Sequence, residues 1–150
     1  MSRLVLLDSG PLGLVTNPKA SLETEACNLW LESLLATGTR VGVPAIADYE
    51  VRRELLRAKK TEGLERLDHF IQALEFVDLT TPMMRRAAQF WARARQMGKP
   101  TASDAALDGD MILSAQASLL VEAGEDVCVA TVNVKHLSLF VQAREWRDIS

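Results

Sequence analysis

Cysteine is scarce in this chain. Its two cysteines, Cys27 and Cys128, sit in apolar surroundings with no CxxC and no Cys/His metal spacing. Both are expected to be buried free thiols in a reducing compartment, which predicts a cytoplasmic protein. Long apolar runs are also missing, and none approaches the ~20 residues of a bilayer span, so no membrane role is expected. Arg3 precedes an apolar stretch as it would in a signal peptide. That stretch is only four residues long and ends at Asp8, so no signal is read. With 5 prolines and 8 glycines there is no long linker, and no repeat or low-complexity segment is visible. An excess of base is absent too. The 17 Lys and Arg are outnumbered by 20 Asp and Glu, and a net charge of −3 does not by itself favour nucleic acid.

What is present is enough for one domain over residues 1–150 with a real core, at an ordinary 48% hydrophobic and 25% charged. The organising stretch is Leu4-Val5-Leu6-Leu7 followed by Asp8-Ser9-Gly10. An unbroken aliphatic run that stops at a turn signal reads as a strand buried on both faces. Val41-Gly42-Val43-Pro44 and Val127-Cys128-Val129-Ala130 read as further strands, with a brief edge strand over 76–79 and a last one near Trp146 and Ile149. Helices are expected over 21–36, 45–59 and 62–75, and from Thr81-Pro82 to Gly98-Lys99-Pro100. In this last helix Met84, Ala87/Ala88, Trp91 and Ala94 mark the buried side. After Asp8, only a short helix is expected. Ser103 to Ala117 leads into a helix apolar on nearly every face. Strands alternating with helices predict a three-layer α/β/α sandwich around a mainly parallel sheet.

Such sheets place ligands at the carboxyl ends of their strands. Asp8, Glu50, Asp108/Asp110 and Asn133 would meet there. Clustered carboxylates repel, so each must take up a proton or share a cation. Oxygen donors suit Mg²⁺ or Mn²⁺, and such an ion with basic segments nearby points to phosphodiester hydrolysis. Each acid also has a plainer reading. Asp8 can cap the following helix, Glu50 can be a first-turn acid, and Asp108 can be an N-cap with Asp110 as its dipole partner. If the helix is continuous from Ser103, Asp104 and Asp108 share a face and Asp110 points elsewhere. His136 lacks a His or Cys partner at metal spacing and reads as a surface or structural residue, and His69 is assigned nothing. Ten of the 17 bases fall in two segments, one with Arg52, Arg53, Arg57, Lys59 and Lys60, the other with Arg85, Arg86, Arg93, Arg95 and Lys99. They form either a local basic surface or two solvated helix faces.

Four stretches in order resemble the PIN-domain family, in particular the VapC-like toxins of bacterial toxin–antitoxin pairs. They are Leu6-Leu7-Asp8-Ser9, the segment from Val43 to Leu55 around Glu50, Asp110-Met111-Ile112-Leu113-Ser114-Ala115-Gln116-Ala117, and Thr131-Val132-Asn133-Val134-Lys135-His136-Leu137. The resemblance covers almost the whole chain. It implies a Mg²⁺- or Mn²⁺-dependent endoribonuclease with metal on Asp8, Glu50 and Asp110, and Asp108 as a nearby fourth acid. Ser9 and Thr131 would be hydrogen-bonding supports. The last motif often supplies an aspartate. Here it is Asn133, which can orient a water or ligate weakly but adds no charge. The family also implies homodimerisation and inhibition by a small antitoxin whose tail enters the active site. Arg52, Arg53 and Arg57 are the candidate RNA contacts. The alternative is a PIN-like module of weak or lost catalysis that binds RNA or protein, and Asn133 is the feature that sustains it.

Overall fold

A computed structural model describes residues 3–98 and 104–150, with the side chains of 104 and 105 excepted. In chain order the elements are β1 (Arg3–Leu7), α1 (Ser9–Thr16), α2 (Leu22–Ala36), β2 (Arg40–Pro44), α3 (Ala45–Arg57), α4 (Thr61–Ala73), β3 (Glu75–Val77), α5 (Thr81–Gln96), α6 (Asp104–Glu122), β4 (Asp126–Thr131), α7 (Val134–Leu137) and β5 (Ala143–Glu145), then a 3₁₀ turn at Trp146–Asp148. The strands make one sheet in the order β3-β2-β1-β4-β5, and every neighbouring pair is parallel.

The continuous apolar runs follow from burial on both faces, because successive strand residues point to opposite sides. Val5 and Leu7 of β1 and Cys128 and Ala130 of β4 pack with Leu12, Val15, Leu31 and Leu67 of α1, α2 and α4. Leu4, Leu6, Val127 and Val129 pack the other way, on Leu113 and Ala117 of α6 and Leu137 of α7. Outside that layer, Ala87, Phe90 and Ala94 of α5 close on Met111 and Ala115 of α6. The sheet is therefore sandwiched between helices, as the alternation of elements predicts. Both cysteines are buried and unbridged, and burial pushes the Cys27 thiol up to about 12. Among the described residues, no helix is long and apolar enough to cross a membrane.

Local chemistry sets the boundaries. Ser21 caps α2 reciprocally: its Oγ accepts from Thr24 N at 3.1 Å, and Thr24 Oγ1 accepts from Ser21 N at 2.9 Å. Three details differ from the sequence reading. The buried side of α5 is Met83, Ala87, Phe90 and Ala94, whereas Met84 and Trp91 are 45% and 37% exposed. The stripe is turned by one residue, because an alanine-rich helix packs equally well on either side of Ala87. The last strand is Ala143–Glu145, and Trp146 and Ile149 follow it as buried anchors in a 3₁₀ turn. The short helix expected after Asp8 is present, two turns long despite Gly10, Pro11 and Gly13, since proline is tolerated in a first turn. Finally, α7 follows β4 at once, a one-turn helix that the sequence reading does not include. The expected helix stop at Lys99-Pro100 and the start at Ser103 lie outside the described residues.

One buried amide fixes the layers to each other. Gln116 of α6 is fully buried. Its Nε2 donates to Val77 O at 3.0 Å and Asp78 O at 3.2 Å, and its Oε1 accepts from Ile46 N at 3.5 Å. It thus ties α6 to the end of β3 and the start of α3. An unsatisfied buried polar group costs ~1–3 kcal/mol. Replacing Gln116 by Leu keeps the volume and strands three backbone groups, so urea unfolding should register a loss of about 2–4 kcal/mol. A loss below ~1 kcal/mol would contradict this role.

Candidate metal centre

The strand order makes β1 the switch point. Its neighbours are β2 on one side and β4 on the other, so the chain leaves the middle of the sheet in two directions and opens a crevice at the carboxyl ends. Asp8 stands in that crevice, 8% exposed. The cap reading of this residue holds. It is the N-cap of α1, with Oδ1 accepting from Ser9 N at 2.7 Å, while Oδ2 accepts from Thr131 Oγ1 at 2.8 Å at the end of the neighbouring strand β4. Thr131 is fully buried at the end of β4 and itself accepts from Asn133 N at 2.9 Å.

Two further acids share this space. Glu50 lies in the second turn of α3. The first-turn acid is instead Asp48, which pairs with Arg52 at 3.0 Å. The Glu50 carboxylate rests on Gly109 of α6: a Cβ there would stand 2.6 Å from Glu50 Oε2. Glycine in mid-helix costs about 1 kcal/mol against alanine, and here it makes room for the carboxylate. Asp110 follows on the same helix, and its Oδ2 is 2.9 Å from His136 Nδ1. Burial raises the carboxyl pKa of all three acids. The negative charge of Asp8 raises Glu50 and Asp110 further, and Asp110 adds to Glu50. Opposing this, Thr131 and Ser9 stabilise ionised Asp8, Arg53 lowers Glu50, and the His136 hydrogen bond lowers Asp110. At the opposite end of the sheet, by contrast, Arg40 neutralises Glu75 and Glu125 at 2.6 and 2.7 Å.

Asp108 is not brought to this cluster. It lies within α6 rather than capping it, about 200° around the helix from Asp110. It is exposed, in the cleft that Met84, Ala88 and Trp91 of α5 line with Met111 and Ile112. The arginines divide. Arg52 turns towards α4 and binds Asp68 at 2.7 Å as well as Asp48. Arg53, over the Tyr49 ring at 5.2 Å, and Arg57, paired with Glu54 at 2.9 Å, line a groove of about 640 Å³ with Lys19, Lys60, Ser9 and Glu50. In the second basic segment, Arg86 bonds Ser118 and Glu122, and Arg93 and Arg95 lie over Phe140 and Trp91. Lys99 is outside the described residues.

His136, read as a surface or structural residue, is the group that sequence reasoning missed at this edge. Its ring lies between Asp110 and the exposed Asn133, with Asn133 Nδ2 2.9 Å from Nδ1. The signal was its place three residues after Asn133, which a one-turn helix converts into contact.

Donor chemistry fits a hard divalent cation: three carboxylates, each with a raised proton affinity, around one crevice. As they stand, no three His, Cys, Asp or Glu side chains among the described residues converge to ligate a single ion. Each acid leans on its own support, Asp8 on Ser9 and Thr131, Glu50 on Gly109, and Asp110 on His136. Carboxylates that repel each other adopt such outward positions until a cation draws them together.

No protein-family model matches the sequence, and no curated protein does. Solved structures do match. A chain of VapBC2 from Rickettsia felis, bound to a DNA fragment from their promoter, superposes with a TM-score of 0.73 at 17% identity, covering 95% of this chain and 98% of that one. A chain of DNA-bound VapBC from Salmonella typhimurium gives 0.63 at 18%, over 97% and 99%. One of VapBC-1 from nontypeable Haemophilus influenzae gives 0.69 at 11%, over 97% and 99%. The chain thus has the α/β PIN-like fold of the VapC structures, as the sequence motifs imply.

Two predictions follow from the electrostatics and packing. A carboxyl whose folded pKa is raised binds more protons folded than unfolded, so stability is greatest below the unfolded pKa near 4 and falls as pH rises through the folded value. The metal-free protein should therefore lose stability as pH rises above about 4. Asp8→Asn should raise the melting temperature at pH 7 by a few degrees and not at pH 4; equal shifts at both would refute the linkage. Gly109→Ala should leave the melting temperature unchanged or higher, because alanine favours the helix and a flexible carboxylate can move aside. Mn²⁺ affinity by calorimetry should fall severalfold, and undiminished affinity would contradict the placement of Glu50.

Proposed function

We propose that this chain is a Mg²⁺- or Mn²⁺-dependent endoribonuclease of the VapC type, hydrolysing RNA phosphodiester bonds. The observation that carries the reading is that Asp8, Glu50 and Asp110 interact across one crevice: burial raises all three carboxyl pKa values, and the charge of Asp8 raises Glu50 and Asp110 further. Asp8, Glu50 and Asp110 would hold the cation. Once bound, it would supply Lewis-acid polarisation of a phosphodiester and a water of lowered pKa.

The chain's own groups do the rest. The hydrogen bonds from Ser9 N and Thr131 favour the charged form of Asp8 against the effect of burial and fix its two oxygens. Buried walls of β1, β4 and α6 limit solvent around the acids and strengthen their field. Arg53, Arg57, Lys19 and Lys60 line the groove that starts at Glu50 and provide positive charge for a sugar–phosphate backbone. Arg52, already bound by two aspartates, contributes little there. Asp108 lies outside this arrangement. We assign the chain the toxin part in a pair with a small antitoxin protein, since the matching structures are VapBC complexes. Homodimerisation and a cytoplasmic location belong to the same reading, and the two unbridged buried thiols agree with the latter.

A second reading has one observation in its favour: the acids do not converge on one ion as they stand. A PIN-like module without catalysis would bind RNA or protein through the same edge. RNA cleavage with Mn²⁺ or Mg²⁺ separates the two. The nuclease reading predicts cleavage by the purified protein that EDTA abolishes and Asp8→Asn reduces more than about 100-fold with the fold intact, since even losing a group behind a ligand costs about 10–100-fold. RNA retained in EDTA and never cleaved would establish the module instead.

A further inference from the structure

A continuous set of hydrogen bonds runs through the turn between β4 and α7. Thr131 Oγ1 donates to Asp8 Oδ2 at 2.8 Å and accepts from Asn133 N at 2.9 Å. The Asn133 amide lies 2.9 Å from His136 Nδ1, which lies 2.9 Å from Asp110 Oδ2. One short turn therefore grips the two acids on either side of it. From this geometry we propose that His136 is a positioning residue for the metal centre, acting through Asp110, and that Asn133 serves by holding the His136 ring rather than by meeting the ion.

An ionised carboxylate offers about four lone-pair sites on its two oxygens. His136 occupies Oδ2, which leaves Oδ1 of Asp110 for a cation. Nδ1 carries one hydrogen at most and faces two neighbours, so the assignment of amide and tautomer follows from the network. With the hydrogen on Nδ1 the carboxylate is satisfied, and the Asn133 amide then turns its oxygen towards the same N–H. An aspartate at position 133 would set a second negative charge against this ring and pull it away from Asp110. Asparagine leaves the imidazole directed at Asp110. The side chains of His136 and Asp110 are 15% and 16% exposed, so solvent competes weakly for this bond. Groups that orient a metal ligand from behind commonly change metal affinity by about 10–100-fold.

The proposal rests on the metal-centre reading above, and its test separates the two. Mn²⁺ binding to the full chain would be measured by calorimetry for wild type, His136→Phe and His136→Asn, with thermal unfolding in EDTA as the control for folding. Phenylalanine keeps the ring and loses the donor. Asparagine loses the ring and places an amide N–H where Nδ1 stood. The expected result is about a 10–100-fold loss of Mn²⁺ affinity in His136→Phe and recovery of most of it in His136→Asn. Imidazole ¹⁵N spectra of the metal-free wild type should show one of the two histidines with its proton on Nδ1, a signal that disappears in His136→Asn. Equal Mn²⁺ affinity in wild type and His136→Phe, or an Nε2–H tautomer at His136, would overturn the positioning role while leaving the metal centre standing. Absence of Mn²⁺ binding by the wild type would remove both.

Discussion

The hydrogen bond from Thr131 to Asp8 joins the ends of the two central strands, just beyond the last backbone bond of their ladder, Asp8 N to Ala130 O at 3.0 Å. It favours the charged form of a carboxylate whose burial favours the neutral one. The rest of the edge is organised around that charge. Glu50 and Asp110 come from helices on either side of the sheet, and both feel Asp8 as a repulsive neighbour. A fold that keeps three like charges in one crevice gives up stability at neutral pH. The same chain neutralises acids where it can, as Arg40 does with Glu75 and Glu125. The carboxyl edge instead gathers like charges, and a cation is the partner its chemistry suits.

Backbone economy serves the same end. Gly109 gives up helix propensity so that the carboxylate of Glu50 can lie against α6. Gly10 does something similar at the other wall, where a Cβ would meet Val132 Cγ2 at 3.0 Å. These close approaches let elements from distant parts of the sequence share one crevice, and Gln116 holds α6 at the height where Asp110 reaches it. The β4–α7 turn completes the arrangement, since within a few residues it supports Asp8 through Thr131 and Asp110 through His136.

Much of this was legible in the sequence, for identifiable reasons. Leu4 to Leu7 and Val127 to Ala130 announce strands buried on both faces, because only such strands dispense with polar alternation. With those two fixed, the carboxyl edge and its Asp8 and Thr131 followed. Three features were illegible. Whether Asp108 or Asp110 faces the sheet depends on where the helix begins, and the reversal between two acids two residues apart is decided by rotation alone. The stripe of α5 was read one residue off, since Ala87 and Ala88 give a helix no preferred side. His136 reads from the sequence as a surface or structural residue because no His or Cys stands near it at metal spacing, and its partner Asp110 lies 26 positions away on α6, with β4 between them.

The most direct test of this account is a crystal of the wild-type protein soaked in Mn²⁺ and measured for anomalous scattering. The account predicts a peak within ligating reach of Asp8, Glu50 and Asp110, with Glu50 and Asp110 swung inward from the positions described above. Strong Mn²⁺ peaks only elsewhere on the molecule, with the three carboxylates unmoved, would contradict it.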